Sequence, residues 1–114
     1  KESDGTDKSV NPVEGLLCAC GACQAIAMLL FARMQAVPLV GVRVEVEADL
    51  DHDGFTGKAP DVRNGLQEVR FSMHLKSSDE AAARALAALV EERCPVSDCL
   101  KAPVPVVCAE VVVE

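Results

Sequence analysis

The sequence contains no tryptophan and no tyrosine, and only three of its 114 residues are phenylalanine. A hydrophobic core must therefore be built from valine, leucine, alanine, methionine and cysteine. Hydrophobic residues make up 50% of the chain, which is enough for such a core. The length fits one domain, which we expect to span residues 11–114 after a flexible segment at 1–10.

Positive charge is also scarce, because 11 basic residues face 18 acidic ones and the formal net charge is −7. A protein that follows nucleic-acid phosphates needs a cationic face, and so does one attracted to anionic lipid. We therefore expect neither nucleic acid nor membrane among the partners.

No leader is evident, since the first residues, Lys1–Lys8, are polar and charged. Six cysteines are many for this length, but they are not spread through loops as in a secreted disulfide scaffold. Two clusters hold five of them, at Cys18, Cys20 and Cys23 and at Cys94 and Cys99, while Cys108 stands alone. We expect a cytoplasmic protein with reduced thiols, in which any disulfide is catalytic or redox-linked.

The segment that follows Asn11 predicts a long helix over about 12–36. Asn11 is a favourable N-cap, Pro12 suits the first helical position, and Pro38 stops the helix. Between Leu16 and Phe31 only Gln24 is polar. A helix that is apolar on all sides is buried on all sides, and one small domain has few layers to cover it. We therefore expect a central core helix that is partly covered by a second subunit in a homodimer.

The rest of the chain predicts two half-buried strands, a second helix and a final strand. Alternation of apolar and polar residues marks the two strands, capping-box spacing at 77–80 starts the helix, and Cys94-Pro95 ends it. The predicted elements are a strand at 39–50, a loop at 51–66, a strand at 67–76, a helix to 93, a turn at 95–100 and a strand at 104–113. This order indicates an α+β fold with an antiparallel sheet.

Two cysteines are candidates for chemistry, although a buried free cysteine is often an inert small hydrophobe. Cys23 lies near the middle of the apolar helix, with Cys20 on the same face. Cys94 precedes Pro95 at a helix break, where the N-terminal partial charge favours a thiolate.

These residues resemble a known family. The run from Asn11 to Leu17, followed by Gly21-Ala22-Cys23, resembles the first cysteine motif of the OsmC/Ohr (organic hydroperoxide resistance) family. Cys94-Pro95-Val96-Ser97 with Leu100 resembles its second, and the elements between them fit. The resemblance covers residues 5–114. It implies an OsmC-like, intertwined homodimer with a long buried central helix and a second helix.

The resemblance also implies an activity. Cys23 would be the peroxidatic thiol, which reduces an organic hydroperoxide to an alcohol and becomes a sulfenic acid. Cys94 would resolve it as a Cys23–Cys94 disulfide, and a dithiol reductant similar to dihydrolipoamide would restore both thiols. No cofactor and no metal are implied.

A glutamate and an arginine assist the first thiol in active members. The family glutamate lies ten residues before the first cysteine, where this chain has Val13, and Glu14 is displaced from it by about 100° around the helix. The family arginine lies in an N-terminal β segment that this sequence does not include. We expect Glu14 as a possible substitute, with Arg33, Arg63 or Arg70 in place of the arginine.

Three alternatives stay open. The first is a catalytically weak or inactive OsmC-like protein that acts as a redox sensor or binds a small apolar ligand. The second is a calcium loop that opens at Asp49, although its twelfth position is Pro60 rather than a glutamate. The third is a zinc site, although Cys18 and Cys20 point about 200° apart on a helix.

Overall fold

The structure, a computed structural model, describes residues 11–114, so the predicted flexible segment at 1–10 lies outside the described residues. Four helices and two strands follow one another along the chain. They are α1 (Pro12–Met34), β1 (Leu39–Leu50), α2 (His52–Thr56), β2 (Leu66–Ser77), α3 (Glu80–Arg93) and α4 (Pro95–Lys101). The predicted α+β class with an antiparallel sheet is confirmed.

Helix α1 begins as the sequence predicts. The Asn11 side chain accepts a hydrogen bond from the Glu14 backbone N–H at 2.9 Å, and the Glu14 carboxylate accepts the Asn11 N–H at 3.3 Å. This reciprocal capping box, with Pro12 in the first turn, fixes the helix start. The helix ends at Met34, two residues before the predicted end, and Ala36 adopts a left-handed φ of 55°.

Strands β1 and β2 pair antiparallel over their whole length, with Val42 opposite Leu75 and Val44 opposite Met73. Irregularities interrupt the register near both ends, between Leu39 and Gly41 and between Asp49 and Leu50. The apolar side chains of one sheet face pack on α1 and α3. Gly21 permits this close approach, because a Cβ there would lie 3.2 Å from a Val46 methyl group.

Two sequence expectations about the connections were wrong. The predicted loop at 51–66 contains the short helix α2, which Asp51 caps by accepting the Asp53 N–H. Helix α3 is capped by Asp79, which accepts the Ala82 N–H, and not by the capping box predicted at 77–80. In both cases an aspartate in extended conformation has captured a free N–H of the first helical turn.

The predicted strand at 104–113 was also wrong, because residues 103–114 form neither helix nor strand. β-branched residues favour a strand only where a neighbouring edge completes the ladder, and no other part of the described chain pairs with this segment. Pro103 and Pro105 also lack the N–H that a ladder requires. The valines of this segment are therefore exposed, Val106 by 92%.

The core lies between α1 and α3, where Met28, Ala32, Leu86 and Val90 form a buried cluster. Helix α1 buries a single stripe made of Cys20, Gln24, Met28 and Ala32. Its other apolar side chains stay open in the single chain, for example Ile26 (66% exposed) and Met34 (68%). Burial of α1 on all sides, as the sequence predicted, is therefore not achieved within one protomer.

Among residues 11–114, only α1 is long and apolar enough to cross a membrane, judged by length and composition alone. The same test is met by core helices of soluble proteins, so it has little discriminating value.

Leu86 is the core side chain whose truncation should destabilise the fold most clearly. It is fully buried against Met28 and Val90, so Leu86→Ala removes apolar contacts and leaves a cavity. We expect a loss of about 3 kcal/mol in the free energy of unfolding. Urea unfolding at a fixed protein concentration measures it. Leu50→Ala, at a strand end where the side chain is 43% exposed, is the matched control and should cost less than about 1 kcal/mol. Equal losses in the two variants would contradict this assignment of the core.

Candidate redox site

The fold brings together the two cysteines that the sequence singled out. Cys23 lies in the middle of α1, and Cys94 lies at the junction where α3 ends and Pro95 starts α4. The two thiols lie close enough to interact, and each shifts the pKa of the other. Residues 71 positions apart in the sequence thus form a dithiol, with both sulfurs free in the structure.

Cys94 is the more acidic thiol of this dithiol. Its burial opposes ionisation, but hydrogen bonds from the Ser97 backbone N–H, the Cys23 thiol, the Ser97 side chain and the Val96 N–H outweigh that cost. The pKa of Cys94 is therefore lowered from its ordinary value. The turn after Cys94, which Pro95 starts, supplies three of these four donors, and α1 supplies the fourth.

Cys23 has the opposite tendency. Burial, the hydrogen bond with Cys94 and the proximity of the Cys94 and Cys20 sulfurs raise its pKa, and the Val96 N–H only partly offsets this. Cys23 is nevertheless the more accessible thiol, because it is partly exposed whereas Cys94 is 1% exposed. It lines an open pocket of about 480 Å³ whose walls are mostly apolar, including Ile26, Leu30 and Phe31.

A third cysteine, Cys20, lies in a buried polar cluster on the same helix. Gln24 Nε2 donates to Ser97 Oγ at 3.3 Å and contacts Cys20 Sγ at 3.9 Å. Cys20 Sγ also lies 3.9 Å from Ser97 Oγ. Gln24 is fully buried, and its Oε1 has no hydrogen-bond partner among the described residues. Ser97 therefore contacts both Cys20 and Cys94.

Glu14, the carboxylate named as a possible assistant of Cys23, is engaged elsewhere. Its side chain accepts the Asn11 N–H in the capping box. Nine residues separate it from Cys23, which is about 13 Å along a helix axis. Within one chain Glu14 therefore stabilises the start of α1 and does not contact Cys23.

The three arginines named as replacements for the family arginine lie in different places. Arg70 is bound by the carboxylates of Glu47, Asp49 and Glu68, which raise the pKa of its guanidinium while Arg70 lowers the pKa of Asp49. Arg33 is exposed in the last turn of α1. Arg63 lines a different cavity, which also contains Cys20 and Ser97.

Sequence reasoning did not consider Arg93, which lines the pocket of Cys23. It is the last residue of α3 and directly precedes Cys94, so the meeting of α3 with α1 carries it to the pocket. The sequence feature that could have identified Arg93 as a site residue is its position directly before Cys94. Among residues 11–114, Arg93 is the cation that lines the Cys23 pocket.

The remaining thiols stay apart from the dithiol, since Cys18, Cys99 and Cys108 are all exposed. Residues 11–114 contain no group of three or more histidine, cysteine, aspartate or glutamate side chains arranged to hold a metal ion. At the proposed calcium loop, Asp51 caps α2 and Asp49 binds Arg70. Both of these carboxylates are therefore engaged in local structure.

The sequence profile of the OsmC-like protein family matches residues 5–109. The chain belongs to this family. No curated protein sequence matches it significantly. The predicted resemblance is confirmed by the profile, which spans both cysteine motifs.

Solved structures show the same fold. An OsmC-like protein from Mycoplasma pneumoniae is similar with a TM-score of 0.77 and 20% identity, over 90% of this chain and 70% of that one. A Legionella pneumophila protein described as an organic hydroperoxide resistance protein and predicted redox protein has a TM-score of 0.67 and 24% identity, over 84% and 65%. An OsmC-like protein of unknown function from Vibrio cholerae has a TM-score of 0.55 and 13% identity, over 79% and 58%.

Proposed function

We propose that the protein is a thiol-dependent peroxidase that reduces organic hydroperoxides to alcohols through Cys23 and Cys94. Membership of the OsmC-like family, and the description of the Legionella protein, support a general redox or peroxide-related role. The observation that carries the finer proposal is the contact between the two thiols, one of which faces an apolar pocket.

The family resemblance and the greater exposure of Cys23 support the assignment of the two roles. The Cys23 thiolate attacks the terminal oxygen of the hydroperoxide, the O–O bond breaks, and the alcohol leaves once its oxygen is protonated. The Cys94 thiolate then attacks the sulfenic sulfur, which forms the disulfide and releases water. Cys94 suits this second role because it is buried beside Cys23, and its lowered pKa keeps a thiolate available.

The pocket supports an organic substrate. Ile26, Leu30 and Phe31 wall the approach to Cys23, and burial of an alkyl group against such side chains contributes about 25 cal/mol per Å². Hydrogen peroxide has no apolar group to bury there. The preference for organic hydroperoxides therefore lies in binding and not in the chemistry of the thiol.

The working form that we propose is a homodimer in the cytoplasm, reduced by a dithiol similar to dihydrolipoamide. The exposed apolar side of α1 supports a second copy as its cover, because Ile26, Leu29 and Leu30 are each more than half exposed in one chain. A two-stranded sheet is also marginal without further strands. Residues 103–114, which pair with no other residue of the described range 11–114, offer a β-branched segment for that purpose.

Peroxide treatment followed by disulfide mapping tests the proposal. The reduced protein receives a stoichiometric amount of tert-butyl hydroperoxide, free thiols are alkylated, and peptides are analysed by mass spectrometry. When alkylation follows within the first turnover, we expect Cys94 to be blocked in a disulfide with Cys23, while the exposed Cys99 stays free. A disulfide that forms equally well in Cys23→Ser would contradict the assignment of the attacking thiol.

A second function is favoured by one observation, the raised pKa of Cys23. A thiol that is mostly protonated at neutral pH reacts slowly with peroxide. In that case the protein is a redox sensor or an apolar ligand-binding dimer that oxidises once and does not turn over. Multiple turnovers of hydroperoxide in the presence of a dithiol would exclude this alternative.

A further inference from the structure

We propose that Cys20 is a third redox thiol, which replaces Cys94 as the disulfide partner of Cys23. The new Cys20–Cys23 disulfide is then reduced from a second cavity. The proposal deepens the function proposed above, because the disulfide it receives is the product of that reaction. It rests on the buried cluster of Cys20, Gln24, Ser97 and Cys94 and on the two separate pockets that meet at α1.

The cluster connects Cys20 to the dithiol from two sides. On α1, Cys20 precedes Cys23 by one helical turn, and the Cys20 sulfur lies close enough to influence the charge on Cys23. From α4, the Ser97 hydroxyl contacts Cys20 Sγ at 3.9 Å and also forms a hydrogen bond with Cys94. Cys20 and Cys94 are each 1% exposed, so the attacking and the leaving sulfur of the exchange both lie in the interior.

The exchange balances without any further oxidant. The sulfur of Cys20 attacks the sulfur of Cys23, the Cys23–Cys94 bond breaks, a Cys20–Cys23 bond forms, and Cys94 leaves as the thiolate. The proton of Cys20 passes to the Ser97 hydroxyl, which then protonates the departed Cys94 thiolate, so that one disulfide and one thiol are present before and after the exchange. Gln24 Nε2 donates to the same hydroxyl oxygen at 3.3 Å, so the hydroxyl hydrogen remains available for a sulfur.

The direction of the exchange follows from the environment of Cys94. The thiol with the lower pKa leaves a disulfide more readily, and the N–H groups of Val96 and Ser97 stabilise the departing thiolate. The new bond requires the turn of α1 to tighten by about 1–2 Å, because Cβ atoms three residues apart are about 5–6 Å apart and a disulfide brings them to about 4 Å. Gly21 lies inside this turn, where a residue without a side chain gives the least resistance.

The exchange would separate the oxidising from the reducing side of the protein. Cys23 lines the apolar pocket with Ile26 and Leu30, whereas Cys20 and Ser97 line a different cavity of about 300 Å³. The two share no lining residue. The second cavity carries the polar side chains of Arg63, Glu68 and Lys101. Leucine, valine and phenylalanine side chains line most of the rest, namely Leu16, Leu66, Val69, Phe71 and Leu100. A small dithiol with an alkyl chain and a polar end is therefore the class of reductant that such a cavity would admit.

Disulfide mapping at equilibrium tests the proposal. The disulfide is introduced with one equivalent of diamide, a thiol oxidant that does not depend on peroxidase activity. After equilibration the free thiols are alkylated and located by tandem mass spectrometry. In the wild type we expect Cys94 to be alkylated and Cys20 and Cys23 to be blocked. In Cys20→Ser, Cys94 should be blocked with Cys23, and reduction of the protein by a small dithiol should become slower.

Cys18→Ser is the matched control, since Cys18 is exposed on the same helix, and it should behave as the wild type. If Cys20 is free and Cys94 blocked in the wild type, the proposal is wrong. That result comes from the wild-type protein alone, so a folding defect in Cys20→Ser cannot obscure it. Parallel treatment with tert-butyl hydroperoxide separates the two proposals: a disulfide with diamide but none with hydroperoxide refutes the peroxidase and leaves the Cys20 exchange standing.

Discussion

Replacement of Cys23 by serine is expected to lower dithiol-dependent consumption of an organic hydroperoxide by on the order of 10³-fold or more, because the variant has lost the attacking atom. A serine hydroxyl is not ionised at neutral pH and cannot form a sulfenic acid. The measurement is the steady-state loss of tert-butyl hydroperoxide with dihydrolipoamide in excess.

Two further variants distinguish this loss from a general defect. Cys18→Ser changes an exposed thiol one and a half turns earlier on α1 and should retain full activity. Cys94→Ser retains Cys23 but lacks the resolving thiol, so we expect its steady-state rate to fall well below that of the wild type while the first equivalent of hydroperoxide is still consumed. Full steady-state activity in Cys23→Ser, with folding intact, would refute the proposed peroxidatic role.

The rate of reaction between reduced protein and hydroperoxide is expected to keep rising with pH from about pH 7 to beyond about 8.5, which is the ordinary pKa of cysteine. Only the thiolate attacks, and burial and the neighbouring Cys94 raise the pKa of Cys23. Because the pKa is raised, the thiolate fraction keeps increasing with pH through this whole range. A stopped-flow series under single-turnover conditions, with the hydroperoxide in excess, measures it.

The same series in Cys94→Ser provides the control, because the Cys94 thiol contributes to the raised pKa of Cys23. Without it the rise should begin at lower pH. A plateau below about pH 7.5 in the wild type would contradict the expectation. Such a plateau would mean that the Cys23 thiolate is stabilised by a cation that does not contact it within one chain, such as a residue of a second copy.

Local sequence signals were sufficient for most of the elements. Asn11, Pro12 and Glu14 set the start of α1 because a capping box requires only neighbours in the chain. Alternation of apolar and charged residues gave both strands to within a residue of their observed bounds. Cys94-Pro95 gave the break between α3 and α4, since proline disfavours a helical residue before it.

The errors fall where the outcome depends on a partner in space. The valine-rich segment at 104–113 has strand composition, but a ladder needs a second edge, and the described chain provides none for it. Glu14 occupied a promising position in the sequence, yet its carboxylate is held by the Asn11 N–H. Arg93 reached the pocket of Cys23 only because α3 packs against α1.

The sequence by itself determined that the chain is an acidic α+β protein of the OsmC-like family with Cys23 and Cys94 as its notable thiols. Periodicity, caps and motifs are properties of consecutive residues, so they can be read without coordinates. Only the tertiary structure decided that these two thiols meet, that Cys94 is the more acidic, and that Ser97 places Cys20 beside them. Acidity and contact depend on burial and on hydrogen bonds between distant segments, and folding alone brings those segments together.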